Sequence, residues 1–333
     1  MTSTVIYSST PITFKLDLQD PFIFTAHHLD YFPRGNADLG PLEGAQAAGP
    51  YNMYYSKTGV PGFPAHPHTG FETITIVDSG MVDHFDSLGS CGRYGHGDVQ
   101  WLSTGHGVQH AEMFPLLSQE HDNPLELFQI WFNSSPAQKQ APAAYKMMWA
   151  EKIPHVHHQD SQGKHSDVRI ISGQLNGVAA IERPVNSWAH APEHKVNIFM
   201  LTMQAGASIT LPATSASSVR FGYFYRGDEL LVAGEPVGER HLLALRPDTD
   251  IHLQAGQTEA RIMWLEGEPI GEPVAMRGPF VLNTEQELDE AFARFRATQF
   301  GGWPWEHTAP VFAREQERFA SYEHGKVLDS PND

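Results

Sequence analysis

Polar and apolar residues alternate in short runs from residue 66 to residue 133, and glycine-rich or polar turns separate the runs. Thr73 to Val77 alternates threonine and isoleucine before the turn Asp78-Ser79-Gly80. Val82 to Phe85 ends near Gly89, Gly95-His96-Gly97-Asp98 precedes Val99 to Leu102, and Leu125 to Phe132 reads LELFQIWF. Alternation puts successive side chains on opposite faces of a strand, and short strands between such turns predict a sandwich or small barrel. Upstream, residues 12–34 mix short apolar runs with His27, His28 and Pro33. Residues 35–65, and especially 35–58, read as a long loop rich in Gly, Pro and Ala. Loops of that length are usually functional or mobile.

Beyond residue 133 the pattern is interrupted by Ser134-Ser135-Pro136, Pro142 and the polar run His155 to His165. Strand-like segments resume at 168–172, 178–181, 197–204, 208–211, 219–225, 229–232, 241–245 and 260–266. Thr284 and Glu287 form a capping box, and Leu288, Ala291, Phe292 and Phe295 recur at helical spacing before Gly301 and Gly302. The stripe Phe292, Phe295 and Phe300 reads as packing, and Pro310 to Tyr322 as a second, more polar helix. The chain is therefore expected to be all-β, with a first barrel over 1–135, a linker over 136–166, a second β-block over 167–282 and a C-terminal helical segment over 283–333.

Composition narrows the function. The formal net charge is −17 and no basic run appears, so the chain repels phosphate backbones and direct nucleic-acid binding is not expected. Cys91 is the single cysteine. The first residues carry no apolar core of signal-peptide length, and no stretch approaches the roughly 18 apolar residues of a membrane span. These features predict a cytoplasmic protein away from membranes, with a nuclear location open for a eukaryotic source.

Two short motifs carry candidate chemistry. His66-Pro67-His68 opens HPHTGFETITIV, and His110-Ala111-Glu112 closes GDVQWLSTGHGVQHAE. One residue separates the members of each pair, so on strands each pair shares a face. Three imidazoles and a carboxylate aimed at one point would hold a first-row transition metal. His-x-His alone is weak, since 19 histidines give roughly one such pair by chance. His155-Val156-His157, set in polar sequence, is an internal control and reads as solvated loop. Glu72 has the parity of the first pair and Glu112 that of His110, so spacing leaves the carboxylate undecided; the other could orient a ring from outside. His96 and His106 lie on turns, where either could line an entrance. Pro192 and the position of Glu193 argue against a zinc-protease helix at His190 and His194. Cys91 has no partner base, and no phosphate-binding glycine loop or dinucleotide fingerprint is present.

The stretches 66–77, 86–112 and 277–288, with Asp20-Pro21-Phe22, resemble the pirin family of the cupin superfamily over most of the chain. The resemblance implies a bicupin: two stacked β-barrels, the first with one metal ion and the second without ligands. It implies His66, His68, His110 and Glu112 as the ligands, which selects Glu112 over Glu72. The implied ion is Fe(II), with nickel, copper, manganese, cobalt or zinc as substitutes that a histidine-rich site also takes. The implied reaction is quercetin 2,3-dioxygenation. A flavonol and O2 are the substrates, Glu112 takes the 3-hydroxyl proton and carbon monoxide leaves. Phe71, Trp101 and Met113 are candidates for an apolar wall, with core packing the favoured reading of each. The resemblance also implies an alternative, a metal-dependent redox-responsive protein that binds a transcription factor or a metabolic enzyme. This chain departs from the family pattern with Thr69 after the second histidine, His106 in the later Gly-x-Gly, and a longer segment before the first pair.

Overall fold

The computed structural model describes residues 4–45 and 59–333. Of the long loop expected over 35–58, residues 46–58 lie outside the described residues. The chain is mostly β and forms two compact units. One unit comprises Met1–Pro21, Ile153–Arg183 and Trp188–Gly271; the other comprises Phe22–Lys152, Pro184–Ser187 and Glu272–Asp333. No helix among the described residues is long and apolar enough to cross a membrane.

The unit containing the histidine motifs has two antiparallel sheets. In one, neighbours run Ala144–Met148, Val99–Ser103, Phe71–Ser79, Asn123–Asn133 and Phe22–Phe32. In the other they run Val327–Asp329, Phe319–Tyr322, Cys91–Gly95, Met81–Asp86, Val108–Met113 and Gly62–His68. Phe32, Val77, Val82, Tyr94, Leu127 and Trp149 come from both sheets and their connections and form one buried cluster. On Phe71–Ser79, Val77 enters this cluster, whereas Thr75 bonds Glu112 and Phe71 packs on His68. One strand face thus runs from apolar core to histidine site.

The other unit has a seven-stranded sheet, which includes Ile6–Pro11, and a four-stranded sheet. Their shared interior holds Phe199, Leu201, Leu211, Phe224, Ile262 and Trp264. The short strands Glu235–Gly238 and Ile251–Ala255 escape the sequence pattern.

Two expectations are corrected. His155–Gln159 is a strand, paired with His165–Ser172, and not a solvated loop. It lies at the sheet edge, where a strand needs only one partner and one buried residue, Val156, so its sequence stays polar. Residues 310–322 form no helix: the segment runs through turns into the strand Phe319–Tyr322. The carbonyls of Phe312, Ala313, Arg314 and Gln316 accept from Arg93, so they are turned away from a helical ladder. The helix Glu285–Thr298 has the expected capping box and ends at Gln299 in the left-handed region. Its Leu288 and Ala291 pack with Phe280, Phe292, Phe295 and Phe300.

Candidate metal centre

His66 and His110 face each other directly in the register between Gly62–His68 and Val108–Met113. Alternation then places His68 on the same face, and one nitrogen from each of the three imidazoles lies within 4.8 Å of the others. His68 and His110 are buried, and His66 is partly exposed. The Nδ1 of His66 donates to the Pro64 carbonyl at 2.8 Å, and that of His68 to the Pro279 carbonyl at 3.1 Å. A carbonyl can only accept, so both rings carry their proton on Nδ1 and keep a lone pair on Nε2. Among the described residues, His110 has neither ring nitrogen hydrogen-bonded although the residue is fully buried. Buried polar atoms are seldom left so, and an imidazole is satisfied as well by a metal as by a donor.

Burial pushes the titration of His66, His68 and His110 down from the ordinary 6.5, well down for the last two. The neighbouring imidazoles lower His68 and His110 further, whereas Glu112 and the Pro64 carbonyl act the other way on His66. The rings are therefore neutral near pH 7, the form a metal takes. The unfolded chain protonates these histidines below about pH 6.5 and the folded chain resists. Their contribution to stability is present above that pH and lost as pH falls through the depressed folded values. The denaturant midpoint of the metal-free chain is expected to drop between about pH 6.5 and 5.5; an unchanged midpoint there would contradict these neutral rings.

Glu112, two residues beyond His110, faces the same interior. Its Oε1 accepts from the Thr75 hydroxyl at 3.1 Å and its Oε2 from Gln129 Nε2 at 2.7 Å, while His110 Nε2 is 3.9 Å from Oε2. Two donors from the opposite sheet thus fix the carboxylate beside the imidazoles. Phe71 sits on His68 with ring centroids 5.1 Å apart, and Trp131 stacks on Phe71 at 4.1 Å and meets His68 at 5.3 Å.

Not every candidate from the sequence is there. Glu72 points to the opposite face of its sheet, where it accepts from Trp101 Nε1 at 2.6 Å and Ser103 Oγ at 2.8 Å. Its parity with His68 does not carry over, because the chain turns at Thr69-Gly70 between two strands of different sheets. Only glycine fits there: Gly70 has φ +87°, and a Cβ would lie 1.8 Å from the Val281 carbonyl oxygen. Trp101 shares the face of Glu72, and Met113, next to Glu112 in its strand, points away from the imidazoles. Both are buried in the core, the reading favoured for them, and the aromatic rings packed on His68 are Phe71 and Trp131. His106 is exposed and its Nδ1 bonds Gln140 Oε1 at 2.9 Å; no contact joins it to the three imidazoles.

Other groups at the site have no signal in the sequence. His84 is buried 5.6 Å from the His110 ring, stacks on Tyr145, and bonds Asp86 and Gln100. It lies across from Glu112 in the register of Met81–Asp86 with Val108–Met113, which spacing within one strand cannot show. Lys139, in the expected linker, is buried and donates to Gly70 O, Asn133 Oδ1 and Val281 O. It holds the turn after His68 against the segment that carries Pro279.

The pirin profile matches residues 14–132 and the pirin C-terminal cupin domain residues 198–301. A Pseudomonas aeruginosa protein, provisionally named quercetin 2,3-dioxygenase, is 32% identical over 243 residues, covering 71% of this chain and 79% of its own. Mouse pirin is 30% identical over 251 residues, covering 74% of this chain and 80% of its own. The crystal structure of an Acinetobacter baumannii quercetin 2,3-dioxygenase superposes with a TM-score of 0.72 at 24% identity, over 90% of this chain and 98% of that one. Two cupin domains, one with a three-histidine cluster able to hold a metal, define a bicupin. The chain belongs to the pirin family.

Proposed function

We propose that the histidine-bearing unit binds one transition metal ion, Fe(II) in the first instance, through His66, His68, His110 and Glu112, and oxidises a flavonol of the quercetin type with O2. Fully buried His110, without a hydrogen bond among the described residues, carries the reading, because it leaves a nitrogen that a metal would satisfy. The neutral rings and the histidine-rich donor set suit iron, nickel, copper or cobalt. When bound, the ion supplies positive charge and redox capacity beside an ionised hydroxyl.

The rest follows from the chain's own residues. Glu112 Oε2, steered by Gln129, accepts the proton of the flavonol 3-hydroxyl. Partly exposed Trp131, backed by buried Phe71, offers an aromatic ring against which a flat ring system can pack. Burial of His68, His110 and Glu112 keeps bulk water from the ionised substrate. The reaction consumes one flavonol and one O2 and yields carbon monoxide and a phenolic ester, which balances every atom. The name of the Pseudomonas relative agrees with this chemistry.

The test is anaerobic reconstitution with Fe(II), then quercetin and air. Loss of flavonol absorbance with carbon monoxide release is expected. Metal uptake without either product, repeated with nickel, copper, cobalt and manganese, would overturn the dioxygenase reading and leave a metal-dependent binding protein.

A further inference from the structure

The unit without the three histidines has a cavity of about 460 Å³, within the roughly 300–1,000 Å³ of small-molecule sites. Phe199, Leu211 and Trp264 give it apolar walls. Glu266 lies in its lining and is fully engaged: it accepts from Arg220 Nε at 2.6 Å, Trp264 Nε1 at 2.8 Å and Asn197 Nδ2 at 2.7 Å. The acid is neutralised by Arg220, so the ion pair adds no net charge.

Two further cations line the same cavity. Lys195 is about half exposed, and its Nζ is 3.7 Å from a Glu268 oxygen. Arg183 is half-buried and donates only to the carbonyls of Ala189 and Ile181. These bonds use three of its five N–H groups. No carboxylate forms an ion pair with it among the described residues, although exposed Glu182 is next to it in the chain. Burial lowers the titration of Arg183, and the charge of Glu182 opposes that only in part. A chain of net charge −17 thus sets one unneutralised guanidinium at a cavity with an aromatic floor.

We propose that this cavity is a second ligand site that binds a small aromatic carboxylate, its carboxylate on Arg183 and Lys195 and its ring against Phe199 and Trp264. An anion supplies the missing counter-charge and accepts from the spare N–H groups, and a ring that reaches Phe199 and Trp264 in the lining gives an aromatic anion a contact that phosphate lacks. The site is independent of the metal and of the reaction proposed above.

The test is calorimetric titration of the metal-free full chain with benzoate, and with benzyl alcohol and inorganic phosphate for comparison. Benzoate is expected to bind, and the neutral alcohol and phosphate at least about tenfold more weakly. Arg183→Gln should weaken benzoate about tenfold or more. Lys195→Gln, which alters only an exposed side chain, should also weaken it and covers the case in which Arg183→Gln misfolds. Absence of benzoate binding, equal binding of the alcohol or of phosphate, or full binding by both variants would overturn the proposal.

Discussion

His110→Ala is expected to abolish stoichiometric metal binding. Loss of a partner outside the ligand set typically lowers metal affinity 10–100-fold, and loss of a ligand should exceed that. The readout is metal content after equilibrium dialysis, with thermal melting as a second measure. At a metal concentration of about 1,000 Kd the wild-type fold gains roughly 4 kcal/mol from ligation; the variant should gain nothing. The metal-free variant should be little changed in stability. His110 has no hydrogen bond to lose among the described residues, and relief of an unpaired buried polar group, about 1–3 kcal/mol, offsets the small cavity left by the ring. A merely structural histidine would behave oppositely, with lost stability and unchanged metal uptake.

Arg93→Met is expected to destabilise the fold by about 3–5 kcal/mol, the cost of stranding one partner of a buried ion pair. Arg93 and Asp83 are both fully buried and make a two-bonded pair at 2.6 and 2.8 Å. Asp83 also accepts from the Phe312 amide at 2.9 Å, while Arg93 holds the carbonyls after it. Removing the guanidinium leaves Asp83 uncompensated and releases the C-terminal segment from the sheet. The double variant Arg93→Met with Asp83→Leu should recover a large part of the loss, because an apolar pair of similar volume often replaces a buried ion pair without penalty. Denaturant midpoints of the three variants check this. A single variant within 1 kcal/mol of wild type, a small effect by the usual scale, would contradict it.

Much of the fold is legible along the chain because its determinants are local. Gly-rich turns bound Phe71–Ser79 and Val99–Ser103, polar segments bound Asn123–Asn133, and alternation marks their faces. The capping box at Thr284 and Glu287 depends on four consecutive residues. The two histidine pairs are legible for the same reason, since the members of each pair share one strand face whatever the register.

What is not legible depends on contacts distant in sequence. Glu72 has the right parity on paper and the wrong face in space, because Gly70 turns the chain. His84 reaches His110 only through strand register. Pro279 bonds His68 across 211 positions. Residues 312–316, which read as helical locally, instead turn their carbonyls to Arg93, about 220 positions away. The wall residue Trp131 lies within a run, LELFQIWF, that reads only as strand; which aromatic faces the histidines depends on pairing with Phe71–Ser79.

The most direct measurement is carbon monoxide released per quercetin consumed, by the Fe(II)-loaded wild type and by His110→Ala treated identically. Equimolar release by the wild type and none by the variant is predicted. Fully loaded wild type that leaves quercetin intact, or a variant that releases carbon monoxide at the wild-type rate, would contradict the account.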